Sequence, residues 1–267
     1  MTVRKNLVLG GSGAIGSHLC EHLIKAGEEV INLDLKVGFD LRSESLDDFK
    51  GVDYVWFLAW DVGGAKFLTD KQNYISIIRN NTLICNNVFN FLEKYNKPFL
   101  FTSSQLAERD NVYGITKLLG EAWAKALGGK IVKFWNVYAW EDPGVRSHVI
   151  PDMVLNGLKN KEIRLMTTGE EERQFIYVDD CITNLIRFRD MDLEEIHLTN
   201  GVWYSIRDVA ALVARKLDAK VIPGERKGYN NKVPPDDTYQ LFSFPTSLEN
   251  GIELIITKTK EQMQIAT

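Results

Sequence analysis

Apolar positions in the first half of the chain fall into two alternating patterns. Short runs that are apolar on both faces read as strands: Leu7-Val8-Leu9, Val30-Ile31-Asn32-Leu33, Asp53 to Ala59 with its centre at Tyr54-Val55-Trp56-Phe57-Leu58, Phe99-Leu100-Phe101-Thr102, and Lys130 to Trp135. Stretches with helical spacing separate them, through His18 to Lys25, from about Asn73 to Tyr95, and from Tyr113 to Leu127. Doubly apolar strands between helices predict a parallel sheet covered on both faces. Their alternation predicts an α/β, doubly wound (Rossmann) fold. Past about Asp142 the rhythm loosens, with helical pattern from Ile150 to Asn160 and Ser205 to Leu217 and a long loop from Gly224 to Asp237. This predicts a Rossmann domain over residues 1–145 and a smaller C-terminal substrate-binding region over 146–267, with a segment near 175–200 returning to the first.

Composition narrows the class. A chain of 267 residues that is 45% hydrophobic can bury one sizeable core or two modest ones. With 25% charged residues and a net charge of -4 it lacks the basic excess of a nucleic-acid binder. Cys20, Cys85 and Cys181 are widely spaced and odd in number, which excludes a disulfide framework or CxxC metal site and fits a reducing compartment. The N-terminus runs directly into a strand without a signal-peptide core. No apolar run reaches the roughly 20 residues that span a bilayer. The expectation is a cytoplasmic protein without a membrane partner.

Gly10-Gly11-Ser12-Gly13-Ala14-Ile15-Gly16 follows the first strand and opens a helix. Glycines at these positions permit a tight turn and close approach of the backbone to a pyrophosphate, which sits at the positive end of the helix. Asp34 ends the second strand 18 residues after Gly16, where a carboxylate accepts hydrogen bonds from an adenosine ribose. A carboxylate there repels a 2′-phosphate, so NAD is expected; Lys36 nearby keeps NADP as the alternative. Asp40 and Leu41 are expected beside the adenine.

Tyr113 and Lys117 lie four apart on one helix, so both point to one face. A tyrosine with a cation beside it has a lowered pKa and can act as general base or acid near neutrality. Ser103 and Ser104 end the preceding strand at the carboxyl edge, where doubly wound sheets put their ligands. His18 and His22 are one turn apart without a third ligand, so no metal is expected.

Taken with Phe57-Leu58-Ala59, Asn81, Thr102-Ser103-Ser104, Tyr113-Gly114-Ile115-Thr116-Lys117, Asn136-Val137-Tyr138 and Arg173-Gln174-Phe175-Ile176-Tyr177-Val178-Asp179-Asp180, the chain resembles the extended short-chain dehydrogenase/reductase family of nucleotide-sugar epimerases and dehydratases. The resemblance implies that Ser103 hydrogen-bonds the sugar hydroxyl being oxidised and that Tyr113 takes its proton. Lys117 would lower the tyrosine pKa and hold the cofactor ribose. It implies a cofactor set of Gly10, Ser12, Gly13, Ala14, Ile15, Gly16, Asp34, Asp40, Leu41, Leu58, Ala59 and Lys117. The nucleotide-diphosphate sugar would meet Ser104, Gln105, Asn136, His148 and Arg173, the guanidinium pairing with phosphate oxygens.

Ala59-Trp60-Asp61-Val62-Gly63-Gly64 and Ser147-His148-Val149-Ile150-Pro151 are similar to segments of GDP-fucose synthases and GDP-mannose 3,5-epimerases, which makes His148 a candidate proton donor or a substrate contact. Two residues after the catalytic serine, 3,5-epimerases place a cysteine and 4,6-dehydratases a glutamate; this chain has Gln105 there, which does not ionise and so weakens both the Cys-dependent epimerase and the Glu-dependent dehydratase readings. Nine residue numbers separate Ser104 from Tyr113, fewer than in relatives, which implies a more open site or an unusual substrate. The expected activity is NAD-dependent nucleotide-sugar epimerisation through transient oxidation of a hydroxyl to a ketone. The alternatives are a 4,6-dehydratase, a 4-ketosugar reductase or dehydrogenase, and a non-catalytic NAD(P) sensor. Family resemblance also implies a homodimer built on the helices near 73–95 and 113–127.

Overall fold

The computed structural model describes residues 3–107, 111–142, 144, 146–229 and 235–265. The predicted loops between Ser104 and Tyr113 and from Gly224 to Asp237 each lie partly outside the described residues. The chain divides into two compact units, the first built from residues 1–62, 67–134 and 182–198, the second from 63–66, 135–181 and 199–267.

In chain order the first half runs β1 (Lys5–Leu9), α1 (Ala14–Lys25), β2 (Glu29–Leu33), β3 (Tyr54–Phe57), α2 (Ala65–Thr69), α3 (Tyr74–Tyr95), β4 (Phe99–Ser104), α4 (Val112–Ala126) and β5 (Lys130–Phe134). There follow β6 (Asn136–Tyr138), α5 (Val149–Asn160), β7 (Glu162–Arg164), β8 (Glu172–Tyr177), α6 (Val178–Arg189), β9 (Glu195–Leu198), β10 (Trp203–Ser205), α7 (Ile206–Leu217), β11 (Lys220–Ile222) and α8 (Leu248–Ile265). In the first unit six strands pair in the order β2-β1-β3-β4-β5-β9, and every pairing is parallel. This is the predicted doubly wound fold. The order reverses between β1 and β3, and ligands of such sheets bind outside the carboxyl ends of the strands at that switch point. Gly10 and Ala59, which follow β1 and β3, therefore sit where the fold places a ligand.

The strands are continuous apolar runs because both faces are covered. Leu7, Leu9, Val55, Phe57, Phe99, Phe101 and Ile131 share one core with Val88, Phe89 and Leu92 of α3. Phe57, Phe89 and Phe101 meet at centroid distances of 5.3, 5.3 and 5.9 Å, an edge-to-face and tilted geometry that aromatic quadrupoles favour. At the amino edge of the sheet, Arg189 of α6 closes a bidentate pair on Glu28 at 2.8 and 2.9 Å. Asn6 donates to the same carboxylate at 2.8 Å and accepts from the Trp56 indole at 2.9 Å.

The second unit has a three-stranded sheet, β10-β8-β6, and a two-stranded one, β11-β7. Helices α5, α7 and α8 contribute Ile150, Val154, Val209, Val213, Ile252 and Ile255 to its core. Gly64 belongs to this unit; its amide donates to the Arg146 carbonyl at 2.9 Å, and a Cβ there would strike the Ser147 carbonyl. No described helix is long and apolar enough to cross a membrane.

Helix α4 packs on β4 with Gly120 presenting no side chain to it: a Cβ would collide with the Phe101 ring. Helix propensity favours alanine over glycine by about 1 kcal/mol, but overpacking a rigid core costs about 1–3 kcal/mol. The Phe101 ring is fully buried and wedged among Phe57, Phe89 and Trp60, so it cannot yield. Gly120→Ala is therefore expected to lower unfolding stability by about 1–2 kcal/mol in denaturant titration, net of its propensity gain; an equal or higher midpoint would show that the ring can move.

Candidate cofactor and catalytic site

The glycine loop owes its shape to two contacts. Gly10 adopts φ +88°, a left-handed conformation suited to glycine, and a Cβ on it would lie 2.7 Å from the Ala59 amide nitrogen. A Cβ on Gly16 would strike the Gly10 carbonyl, so the start of α1 packs directly under the turn. Gly13 caps α1 without a side-chain hydrogen bond, and no acidic residue occupies the first turn. The helix start thus carries no capping side chain or acid of its own, which suits a pyrophosphate. Asp34 accepts from the Ser12 amide at 3.1 Å and the Lys36 amide at 2.9 Å. Those bonds fix the carboxylate at the rim of the loop, and each oxygen retains a second lone pair for a ribose hydroxyl. Asn32 donates to Ser12 Oγ at 2.9 Å. The Leu58 and Ala59 amides both donate to the Leu9 carbonyl, locking β3's exit onto the loop. These residues fit a dinucleotide.

Asp40 and Leu41 are held by other partners. Leu41 is buried in the sheet's core, and Asp40 makes a two-point pair with Arg42 at 2.8 and 2.7 Å. Asp61, quoted above with the segment after β3, accepts from Asn80 at 2.7 Å, and its amide donates to Asn81 at 2.6 Å.

The two serines of β4 part company. Ser103 donates to Glu121 Oε1 of α4 at 2.5 Å and is almost fully buried. Ser104 stands beside the Tyr113 phenol, whose pKa it pulls down, and accepts from the Leu106 amide at 3.1 Å. Successive strand residues point to opposite faces, so the pair cannot share a partner. The serine beside the tyrosine is Ser104, while Ser103, expected to bond the sugar hydroxyl, bonds Glu121. The next positions shift with it: Gln105 is now one residue after that serine and Leu106 two.

Tyr113 and Lys117 both sit on the face of α4 that packs on β4. The Lys117 ammonium donates to the Thr102 carbonyl at 2.6 Å and lies 4.1 Å from the Trp60 ring, 5.0 Å from Phe101 and 5.9 Å from Tyr113. Burial pulls the Lys117 pKa down to about 7, opposed by the Cys85 thiol and Glu121. Burial pushes the Tyr113 phenol up to about 12, and the bond from Ser104 pulls the other way. Asn81 and the Trp60 indole, each at 3.3 Å from Thr116 Oγ, brace the same helix against α3 and the β3 exit.

In the second unit, Asn136 donates to the Gln174 carbonyl at 3.1 Å. Arg173 donates to the carbonyls of Glu172 and Tyr229 at 2.7 and 2.9 Å. His148 Nδ1 lies 2.7 Å from Glu141 Oε1, and the His148 amide donates to Oε2 at 3.2 Å. That clamp leaves Nε2 as the nitrogen able to meet a ligand. Glu141 was invisible in sequence, being a loop acid with no periodic signal. Glu121 had one, its spacing of four after Lys117, which continues the Tyr113-Lys117 face by another turn. Among the described residues no group of three or more His, Cys, Asp or Glu is arranged to hold a metal.

The chain is similar to known proteins in sequence and in fold. GDP-mannose 3,5-epimerase 1 of Oryza sativa is 26% identical over 96% of this chain and 82% of its own length. The putative UDP-glucose 4-epimerase of Methanocaldococcus jannaschii is 25% identical over 79% of this chain and 82% of its own. In fold, the epimerase Mth375 of Methanothermobacter thermautotrophicus superposes with a TM-score of 0.87 at 20% identity, covering 98% of this chain and 94% of that one. The family model described as NAD dependent epimerase/dehydratase family matches residues 6–195. With the glycine turn, Asp34 and the Ser104–Tyr113–Lys117 cluster all inside that span, the chain belongs to the NAD-dependent epimerase/dehydratase family.

Proposed function

We propose that the protein is an NAD-dependent nucleotide-sugar epimerase that oxidises a sugar hydroxyl transiently to a ketone and restores it with inverted configuration. The observation that carries this reading is the pairing of Ser104 with the Tyr113 phenol, with Gln105 and Leu106, which cannot ionise, directly after that serine. Ser104 replaces Ser103 as the group that hydrogen-bonds the reacting hydroxyl. The position two residues after it, where 3,5-epimerases place cysteine and 4,6-dehydratases glutamate, is then Leu106. A leucine offers no base for a carbon-bound proton. What the site does offer is proton transfer at one hydroxyl.

NAD, held by Gly10, Ser12, Gly13, Ala14, Ile15, Gly16 and Asp34, supplies the reversible hydride acceptor when bound. Tyr113 takes the hydroxyl proton as the ketone forms and returns it afterwards. A buried phenol near 12 is a poor base alone; a protonated Lys117 within 6 Å of its ring lowers the cost of the phenolate. Ser104 orients the hydroxyl toward that oxygen. Asn136 and Arg173 are assigned to the nucleotide diphosphate and His148, oriented by Glu141, to the sugar. A 4-ketosugar reductase would use the same Ser–Tyr–Lys cluster, but it would consume reduced cofactor stoichiometrically.

The homodimer belongs to the same reading. Helices α3 and α4 pack side by side and expose Ile75, Ile78, Ile115 and Leu119. Four exposed aliphatic side chains on neighbouring helices suit a four-helix contact with a second copy.

Purified protein incubated with UDP-, GDP-, dTDP- and CDP-sugars is expected to interconvert one epimeric pair with no net change in reduced nicotinamide absorbance. Tyr113→Phe is expected to lower kcat by about 10²–10⁴-fold, and Ser104→Ala by about 10²-fold or more. Ser103→Ala should lose about tenfold at most, since its hydroxyl bonds a carboxylate and not the substrate. Equal losses for both serines, or full turnover by Tyr113→Phe, would sink this assignment. For the dimer, light scattering is expected to give twice the chain mass, reverting to one with Ile115→Glu/Leu119→Glu; a monomeric parent protein would overturn it.

A further inference from the structure

Asn32 is a polar interruption in the apolar run Val30-Ile31-Asn32-Leu33 of β2, where it pairs with Val8 of β1. Its side chain meets the glycine turn. Nδ2 donates to Ser12 Oγ at 2.9 Å, and a Cβ on Gly11 would lie 2.4 Å from Asn32 Oδ1 and 2.7 Å from its Cγ. Gly11 therefore leaves the space in which this amide reaches Ser12. Asn32 Oδ1 is buried and has no hydrogen-bond partner among the described residues. The side chain is thus tied to the turn by its Nδ2 end.

That bond decides what the Ser12 hydroxyl can do. A hydroxyl has one proton and two lone pairs. With an amide donor on one lone pair, the Ser12 proton is directed away from Asn32, because two donors cannot share one axis. The Ser12 amide is engaged as well, on Asp34 Oδ2 at 3.1 Å, while Asp34 Oδ1 accepts from the Lys36 amide at 2.9 Å. Ser12 and Asp34 are both half-buried, so a ligand can reach them. The rim of the turn therefore offers a donor and an acceptor side by side, the Ser12 O–H and the Asp34 carboxyl oxygens. A ribose hydroxyl both donates and accepts. Asp34 satisfies only its proton; a second group has to satisfy its oxygen.

We propose that Asn32 is a positioning residue for recognition of the adenosine ribose: by donating to Ser12 Oγ it turns the serine proton outward, toward a ribose hydroxyl whose own proton goes to Asp34. This rests on the cofactor placement given above. Asn32→Asp keeps the size of the side chain and reverses its polarity. The new acceptor takes the Ser12 proton, and Ser12 then presents lone pairs where the ribose oxygen needs a donor.

Calorimetric titration of the full chain, freed of bound nucleotide, with ADP and with 2′,3′-dideoxy-ADP reads this directly. The two ligands share adenine and diphosphate and differ in the ribose hydroxyls alone. The parent protein is expected to prefer ADP by about tenfold or more. Asn32→Asp and Ser12→Ala should each lower that preference by about three- to tenfold, and the double variant no further than Ser12→Ala. The charge added by Asn32→Asp acts on both diphosphates alike and drops out of the ratio. A merely loosened turn would weaken both nucleotides equally and leave the ratio unchanged; that result overturns the proposal, as does an additive loss in the double variant. If Asn32→Asp does not fold, an unchanged ratio in Ser12→Ala overturns it. A parent protein that binds neither NAD nor ADP would overturn the cofactor placement and the proposal together. One that binds both but accepts dideoxy-ADP equally well would overturn the proposal alone.

Discussion

The catalytic arrangement depends on how closely α4 can lie on β4. Gly120 opens the contact by leaving room for the Phe101 ring. Once the helix is that close, Lys117 has nowhere to go but the narrow space between Phe101, Trp60 and the Thr102 carbonyl. The same approach brings Tyr113 to Ser104 and Glu121 to Ser103. Three helix positions spaced by four thus meet one strand end. A loose helix would let water reach the lysine and would relax the burial that perturbs both titrating groups.

Much of this was readable from residue order. Doubly apolar strands and the glycine turn made the parallel sheet visible, because a strand covered on both faces has no polar positions to spare. The helix bearing Tyr113 and Lys117 followed from its period. The choice between Ser103 and Ser104 was not readable. Two adjacent serines at a strand's end differ only in which way alternation points them, and that phase depends on pairing: β4 meets β5 with Ser104 opposite Phe134. A one-residue error in phase sends the hydroxyl to another neighbour.

The second unit was less legible for a different reason. Its strands have three to six residues, too short for a period to declare itself. Helix α8, spanning Leu248–Ile265, has no clear helical pattern in the sequence. Its sequence carries an interior glycine, Gly251, and a polar second half, both of which depress a helical signal. Packing supplies the reason for Gly251, since a Cβ there would strike the Tyr138 hydroxyl. The Glu141–His148 clamp joins two loop residues, and loop pairs leave no periodic trace at all.

Glu195 has a consequence for the order in which the molecule can be completed. It stands 62 positions beyond Lys133 in the chain, yet its carboxylate holds that lysine at 2.9 Å, and Lys133 stands 3.6 Å from Glu121 of α4. Between them the polypeptide leaves to build part of the second unit and then comes back as β9. During synthesis the sheet can pair through β5 while Lys133 still lacks its anchor. The charge arrangement behind the catalytic helix is therefore a late event in assembly, delayed by loop closure. A nascent chain stopped before β9 would have its nucleotide turn in place while the electrostatics of its chemistry were still unfinished.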